Sequence, residues 1–136
     1  MGYIVMPFIA WFVAGSTKFF LNSIKAKELA FRQIGYGGLP STHSSIVSSV
    51  AMLIALKEGA DTPAFSVAIA LAFIVILDAY SLRRAVGMHA QAINRLNGSA
   101  EFVSHLREGM GHTRLQIAAG VAVGVISALV VQAVGL

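Results

Sequence analysis

Gln116 to Leu136 runs without a single charged side chain, and other stretches of the chain come close to matching it. Tyr3 to Phe20 carries no charge before Lys18, and Thr62 to Leu77 is bracketed by Asp61 and Asp78. Ser44 to Leu56 is also uncharged, but shorter. A helix needs about 20 apolar residues to cross a bilayer core, and the first, third and fourth stretches leave no polar face for water. The second approaches that length only if its helix starts at Pro40, a residue suited to a first turn; otherwise it reads as a buried core helix. Hydrophobic residues make up 57% of the chain and charged ones 12%, whereas a soluble domain carries roughly a quarter charged residues. The expectation is one membrane domain, residues 1–136, of all-α class. About four transmembrane helices are expected, near 3–22, 40–57, 62–82 and 113–135, with polar loops at 23–39 and 83–112.

The ten Lys and Arg residues locate the two sides of the membrane. Lys18, Lys25, Lys27 and Arg32 fall between the first and second spans, and Arg83, Arg84, Arg95, Arg107 and Arg114 between the third and fourth. Only Lys57 falls in the short turn between the second and third. The positive-inside rule makes the crowded side cytoplasmic. That places both termini outside a cell (inner) membrane and reads the first span as an anchor, since no cation precedes it as in a signal peptide. From Ser81 onward Leu82, Val86, His89/Ala90, Ile93 and Leu96 recur at three- and four-residue steps. That spacing suits an interfacial amphipathic helix or an extension of the third span, broken at Asn97-Gly98-Ser99.

Chemistry-bearing residues gather on the same side. Pro40-Ser41-Thr42-His43 follows the glycine-rich Gly35-Tyr36-Gly37-Gly38 and opens a helix. Free amides and hydroxyls there suit an anion, and His43 could protonate a leaving oxygen. Ser41 reads equally as a plain helix cap. His112 and Gln116 are four apart and share a helix face, so the amide can hold one imidazole nitrogen and aim the other. Lys25 and Arg32 offer a point charge and a planar fork to a phosphate. Absence of cysteine excludes a disulfide framework, a thiolate metal site and a thiol nucleophile. Gly120-x3-Gly124 and the serines of the second span favour close helix contact. His89 and His105 match no pattern and read as surface residues.

Taken in order, Lys25-x6-Arg32, Pro40-Ser41-Thr42-His43 and His112-x3-Gln116 resemble the motifs of the type 2 phosphatidic acid phosphatase (PAP2) superfamily, which includes lipid phosphatases and vanadium haloperoxidases. Pro40 to Ser45, Asp78-Ala79, Arg83 to Gly87 and Gly111 to Thr113 carry a closer likeness to its short divergent branch of bacterial and plant membrane proteins. The resemblance implies a PAP2-like helical bundle and a lipid-phosphate substrate such as phosphatidylglycerophosphate, phosphatidate or a polyprenyl phosphate. It implies His112 as the nucleophile forming a phosphohistidine, His43 as the acid–base partner, and Lys25, Arg32, Ser41 and Thr42 as phosphate binders. Neither metal nor cofactor is implied, and no nucleic acid partner.

The chain departs from the superfamily pattern at several points. Gln116 stands where that pattern has Asp, so it can orient His112 without supplying charge. Gln33 rather than Pro follows Arg32, and four residues separate Arg107 from His112, one fewer than the usual five. Arg83, Arg84 or Arg107 could supply the phosphate arginine, with Asp78 pairing one of them. Two rivals follow: a non-catalytic headgroup binder or assembly factor, favoured by Gln116, and a small transporter, which would want more polar residues deep in the spans. Homodimerisation would be a natural way to complete so short a bundle.

Overall fold

The computed structural model describes residues 2–26, 38–97 and 105–136. Among them the structure is helical: α1 (Gly2–Ala26), α2 (Thr42–Glu58), α3 (Pro63–Leu77), a single π-helical turn (Asp78–Leu82), α4 (Arg83–Asn97) and α5 (Arg114–Ala133). Arg32, Lys27 and most of the glycine-rich stretch lie outside the described residues.

Among the described residues, three helices are long and apolar enough to cross a membrane: Gly2–Lys25, the continuous Pro63–Asn97, and Arg114–Ala133. Their large side chains point outward. Phe12 is 68% exposed, Phe73 63% and Ile126 59%, an apolar surface that suits hydrocarbon and not water. The sequence reading expects four spans. The second, α2, has 17 residues, a rise of about 26 Å against a hydrocarbon core of about 30 Å. It is the central helix of the bundle, packed against α1, α3 and α5, with Ser44, Ser45, Val47, Ser48, Ser49, Ala51 and Leu53 buried.

The starting point of α2 also differs from the expectation at Pro40. Ser41 is the N-cap, its hydroxyl accepting from the Ser44 amide, and Thr42 is the first helical residue. Pro40 is buried just ahead of the cap.

Two kinds of packing hold α2 in place. Toward the α2 C-terminus, Met6 and Ala10 of α1, Leu53 of α2, and Ala128 and Val131 of α5 form the apolar core. That end is closed by polar contacts: Tyr3 donates to the Glu58 carboxylate, and the Lys57 ammonium reaches a Leu136 oxygen while lying 5.4 Å from the Tyr3 ring centroid. Toward the α2 N-terminus the core is serine against glycine. A Cβ on Gly120 would collide with the Ser41 carbonyl, and one on Gly124 with Ser48 Oγ and the Ser45 carbonyl. Such close approach supplies the van der Waals contact that drives helix association in lipid. The buried hydroxyls are all engaged: Ser45 Oγ donates to Ser41 O (3.0 Å), Ser48 Oγ to Ser44 O (2.6 Å) and Ser49 Oγ to Ile46 O (2.8 Å).

α4 continues α3 through the π turn, as one helix from Pro63 to Asn97 among the described residues. Leu82 of the π turn and Val86, Ile93 and Leu96 of α4 are exposed, while Gly87, Ala90 and Asn94 are buried. The buried stripe packs under residues 105–112, since a Cβ on Gly87 would meet the Glu108 carbonyl and Met110.

The α2–α5 seam makes a direct prediction. Gly124→Leu should destabilise the protein by ~1–3 kcal/mol, the usual overpacking range, read as a drop of several degrees in its melting midpoint in detergent. Gly15→Ala, where an added Cβ meets nothing within 4 Å, should leave the midpoint unchanged or raise it. Equal behaviour of the two variants would contradict the seam.

Candidate functional site

The seam aligns the beginnings of α2 and α5. Ser41 N–H donates to the Gln116 carbonyl at 2.9 Å, so the first turn of α2 and the first turn of α5 sit side by side. Thr113 caps α5 in a reciprocal box: its hydroxyl accepts from Gln116 N–H (3.2 Å), and Gln116 Oε1 accepts from Thr113 N–H (3.0 Å).

That box fixes the chemistry of His112. An atom accepting from a backbone N–H must be the amide oxygen, so the same Oε1, 3.2 Å from His112 Nδ1, accepts a hydrogen bond from that nitrogen. Nδ1 therefore carries the hydrogen and Nε2 the lone pair. The rest of His112 is held from the other side. At the π turn, Arg83 N–H reaches back to the Asp78 carbonyl, five residues earlier, where a regular α-helix would send it to Ala79. The Ala79 carbonyl accepts instead from His112 N–H at 3.0 Å. A π turn inside an α-helix often marks a functional site. Here it provides the acceptor that docks the histidine.

The segment leading to His112 is fastened along α4. Asn94 Oδ1 accepts from Leu106 N–H (2.9 Å), and its Nδ2 donates to Leu106 O (2.8 Å) and Glu108 Oε1 (2.9 Å). Gly111, at φ +94°, lies against the Arg84 backbone, a conformation and a closeness that favour glycine.

These contacts enclose a cavity of ≈ 290 Å³ lined by Lys18, Thr42, His43, Arg83, Arg107 and His112, with Trp11 and Ile46 on its apolar side. Lys18 Nζ donates to Thr42 Oγ1 at 3.3 Å. Arg83 Nε contacts Asp78 Oδ2 at 3.1 Å, and its Nη2 lies 3.3 Å from His43 Nε2. Because a guanidinium only donates, His43 Nε2 accepts and its proton resides on Nδ1. Thr42 and His43, in the first turn of α2, have backbone amides with no acceptor in their own helix. Cations, two imidazoles and helix-start amides around one space make a site suited to an oxyanion.

The sequence-based candidates divide. His43, Thr42, Arg83, Arg107 and His112 line the cavity, with Gln116 and Asp78 directly behind His112 and Arg83. Ser41 does not reach it: fully buried, its hydroxyl serves the cap and a 3.0 Å bond from Ser44 Oγ. Lys25 is exposed on the last turn of α1 and is not among the lining residues. Arg84 and Arg114 turn toward Tyr80. The lysine of the cavity is Lys18, which the motif spacing passed over. Its signal was that it is the cation lying inside an otherwise apolar span, where charge is costly and usually functional.

Burial lowers the His112 pKa below the ordinary imidazole value; the Gln116 hydrogen bond opposes this in part, and the positive Lys18 and Arg83 add to the lowering. His112 is therefore neutral near pH 7, with Nε2 available as a nucleophile or base.

The sequence profile of the divergent PAP2 family matches residues 2–127. The chain is also similar to the uncharacterized membrane protein YuiD of Bacillus subtilis (strain 168), at 31% identity over 110 residues, covering 69% of this chain and 70% of that protein. No solved structure matches.

The electrostatics of His112 can be tested by NMR titration of histidine-labelled protein. His112 should titrate below about 6.5, and Gln116→Glu should raise its pKa, because a carboxylate favours the imidazolium. Between the lowered folded value and the unfolded one, the unfolded chain binds more protons, so His112 contributes stability that falls as pH drops through this window. An unshifted His112, or no rise in Gln116→Glu, would overturn the assigned geometry.

Proposed function

The chain belongs to the divergent PAP2 family, and from that premise we propose that it is a membrane lipid-phosphate phosphatase. The substrate class is a phosphomonoester or pyrophosphate carried on a lipid, of the phosphatidylglycerophosphate, phosphatidate or polyprenyl phosphate type. The carrying observation is the forced orientation of His112: Nδ1–H on Gln116 Oε1, Nε2 free, in a cavity shared with His43, Lys18, Arg83 and Arg107.

In this reading Lys18, Arg83, Arg107 and the first-turn amides of α2 hold the phosphate oxygens, and the preorganised cations stabilise charge in the transition state. The His112 Nε2 lone pair attacks phosphorus as the bond to the lipid oxygen breaks. Phosphate draws Arg83 Nη2 away from His43 Nε2, which then takes up a proton and delivers it to the leaving alcohol. His43 next removes a proton from water, which attacks the phosphohistidine and releases inorganic phosphate. Trp11 and Ile46 line the side of the cavity along which a lipid tail would run. The active face is the cytoplasmic one by the positive-inside rule, with both termini outside the inner membrane.

A second reading is favoured by one feature. Gln116 gives His112 orientation but no negative charge, which suits a phosphate-headgroup binder that does not turn over.

Purified protein should release phosphate from a short-chain lipid phosphate in detergent. His112→Ala should abolish release, and His43→Ala should lower it by about 10²–10⁴-fold. Lys18→Ala should weaken substrate binding. Brief incubation with radiolabelled substrate should trap acid-labile label on His112. Normal turnover by His112→Ala would end the phosphatase reading, and saturable binding without label or release would establish the binder.

A further inference from the structure

Arg84 and Arg114 form a cationic pair outside the cavity. Arg114 Nη2 donates to Tyr80 OH at 3.4 Å, its guanidinium carbon lies 5.5 Å from the Tyr80 ring centroid, and Arg84, whose backbone lies against Gly111, also acts on the Tyr80 hydroxyl. The described carboxylates lie elsewhere: Asp78 pairs with Arg83, Glu108 accepts from Asn94, Glu58 accepts from Tyr3, and Asp61 sits in the α2–α3 turn at the opposite end.

A trough runs from this pair along the outside of the bundle. It has a volume of ≈ 280 Å³ and is lined by Ile76 and Leu77 at the end of α3, Ile117 and Ala118 of α5, and Tyr80 and Arg114 at its head. Apart from those two head residues its walls are aliphatic. The continuous Pro63–Asn97 helix that contains α3, and α5, are both of membrane-crossing length and composition, so the trough faces hydrocarbon while its head lies at the level of the α5 start.

We infer that the trough between α3 and α5 binds one phospholipid with a net negative headgroup, its phosphate on Arg84 and Arg114 and an acyl chain along Ile76, Leu77, Ile117 and Ala118. Charge complementarity selects the occupant. A guanidinium pair with none of the described carboxylates beside it matches a phosphate oxygen fork, and a zwitterionic head would bring a cation to the same place. The site is separate from the cavity, whose arginines are Arg83 and Arg107, so this lipid is not consumed and the inference stands whether or not the protein is a phosphatase.

The test uses the full chain in nanodiscs and native mass spectrometry. Wild type should retain phosphatidylglycerol over phosphatidylcholine of the same chains by on the order of tenfold, given two arginines at a membrane surface. Arg84→Gln with Arg114→Gln should bring the two lipids to parity, while Lys18→Gln with Arg83→Gln should keep the preference. In wild type, phosphatidylglycerol with a photoactivatable acyl chain should cross-link to the peptides containing Leu77 and Ile117, a readout independent of any variant's folding. Cross-linking confined to Trp11 and Ile46, or a preference lost with Lys18 and Arg83 and retained without Arg84 and Arg114, would overturn the inference.

Discussion

The approach of α5 to α2 sets the rest of the structure. In hydrocarbon the apolar side chains of neighbouring helices gain little by touching each other instead of lipid, so contact has to come from close backbone packing. Gly120 and Gly124 allow it by presenting no side chain where Ser41, Ser45 and Ser48 arrive. The serines solve the accompanying polar problem, since each bonds back to its own helix, and Ser48 Oγ also reaches Val121 O at 3.4 Å. Among the described residues no buried side-chain polar atom is left without a partner. The same seam puts Ser41 N–H on the Gln116 carbonyl. Two motifs some seventy residues apart in sequence thereby start at one level, which is why His43 and His112 share a space.

The π turn is the second determinant, and it depends on the first. With α5 fixed against α2, the residues before it must cross toward α4, and His112 N–H arrives where a regular helix would have no carbonyl to spare. Shifting Arg83 N–H back to the Asp78 carbonyl releases the one on Ala79. The extra residue in the turn also brings Arg83 within 3.1 Å of Asp78, five positions earlier, and carries its guanidinium into the cavity. One backbone irregularity thus docks a histidine and aims an arginine.

Much of this was readable from residues. The uncharged runs gave α1, α3 and α5, and the four-residue spacing of His112 and Gln116 gave the orienting bond. Other features depended on tertiary context. α2 is as uncharged as a span, yet its serines and alanines could report centrality only once their neighbours were known. Ser41 could be cap or ligand on sequence alone, and the burial forced by Gly120 decides for the cap. Lys18 was hidden because motif spacing pointed one heptad later, to Lys25, although a helix places residues seven apart on nearly the same side. Nothing in Asp78-Ala79-Tyr80-Ser81-Leu82 announces a π turn, since its cause is the arrival of His112. Arg84 and Arg83 are indistinguishable as neighbours in sequence; on a helix they diverge by about 100°, one into the cavity and one toward Tyr80.

The remaining question is what a neutral Gln116 does to chemistry that a charged residue would assist. A carboxylate behind His112 would raise the imidazole pKa and stabilise the positive ring formed after attack. It could accept the same two hydrogen bonds, from Thr113 N–H and His112 Nδ1–H. Gln116 keeps both hydrogen bonds without placing a negative charge next to Lys18 and Arg83, whose field a bound phosphate needs. The exchange leaves His112 neutral and nucleophilic in its resting state, and leaves the cavity more positive than a carboxylate would. On the phosphatase reading it shifts stabilisation away from the phosphohistidine and toward capture of the doubly charged ester. Arg83, held between Asp78 and His43, is then the group whose movement couples arrival of that charge to release of His43.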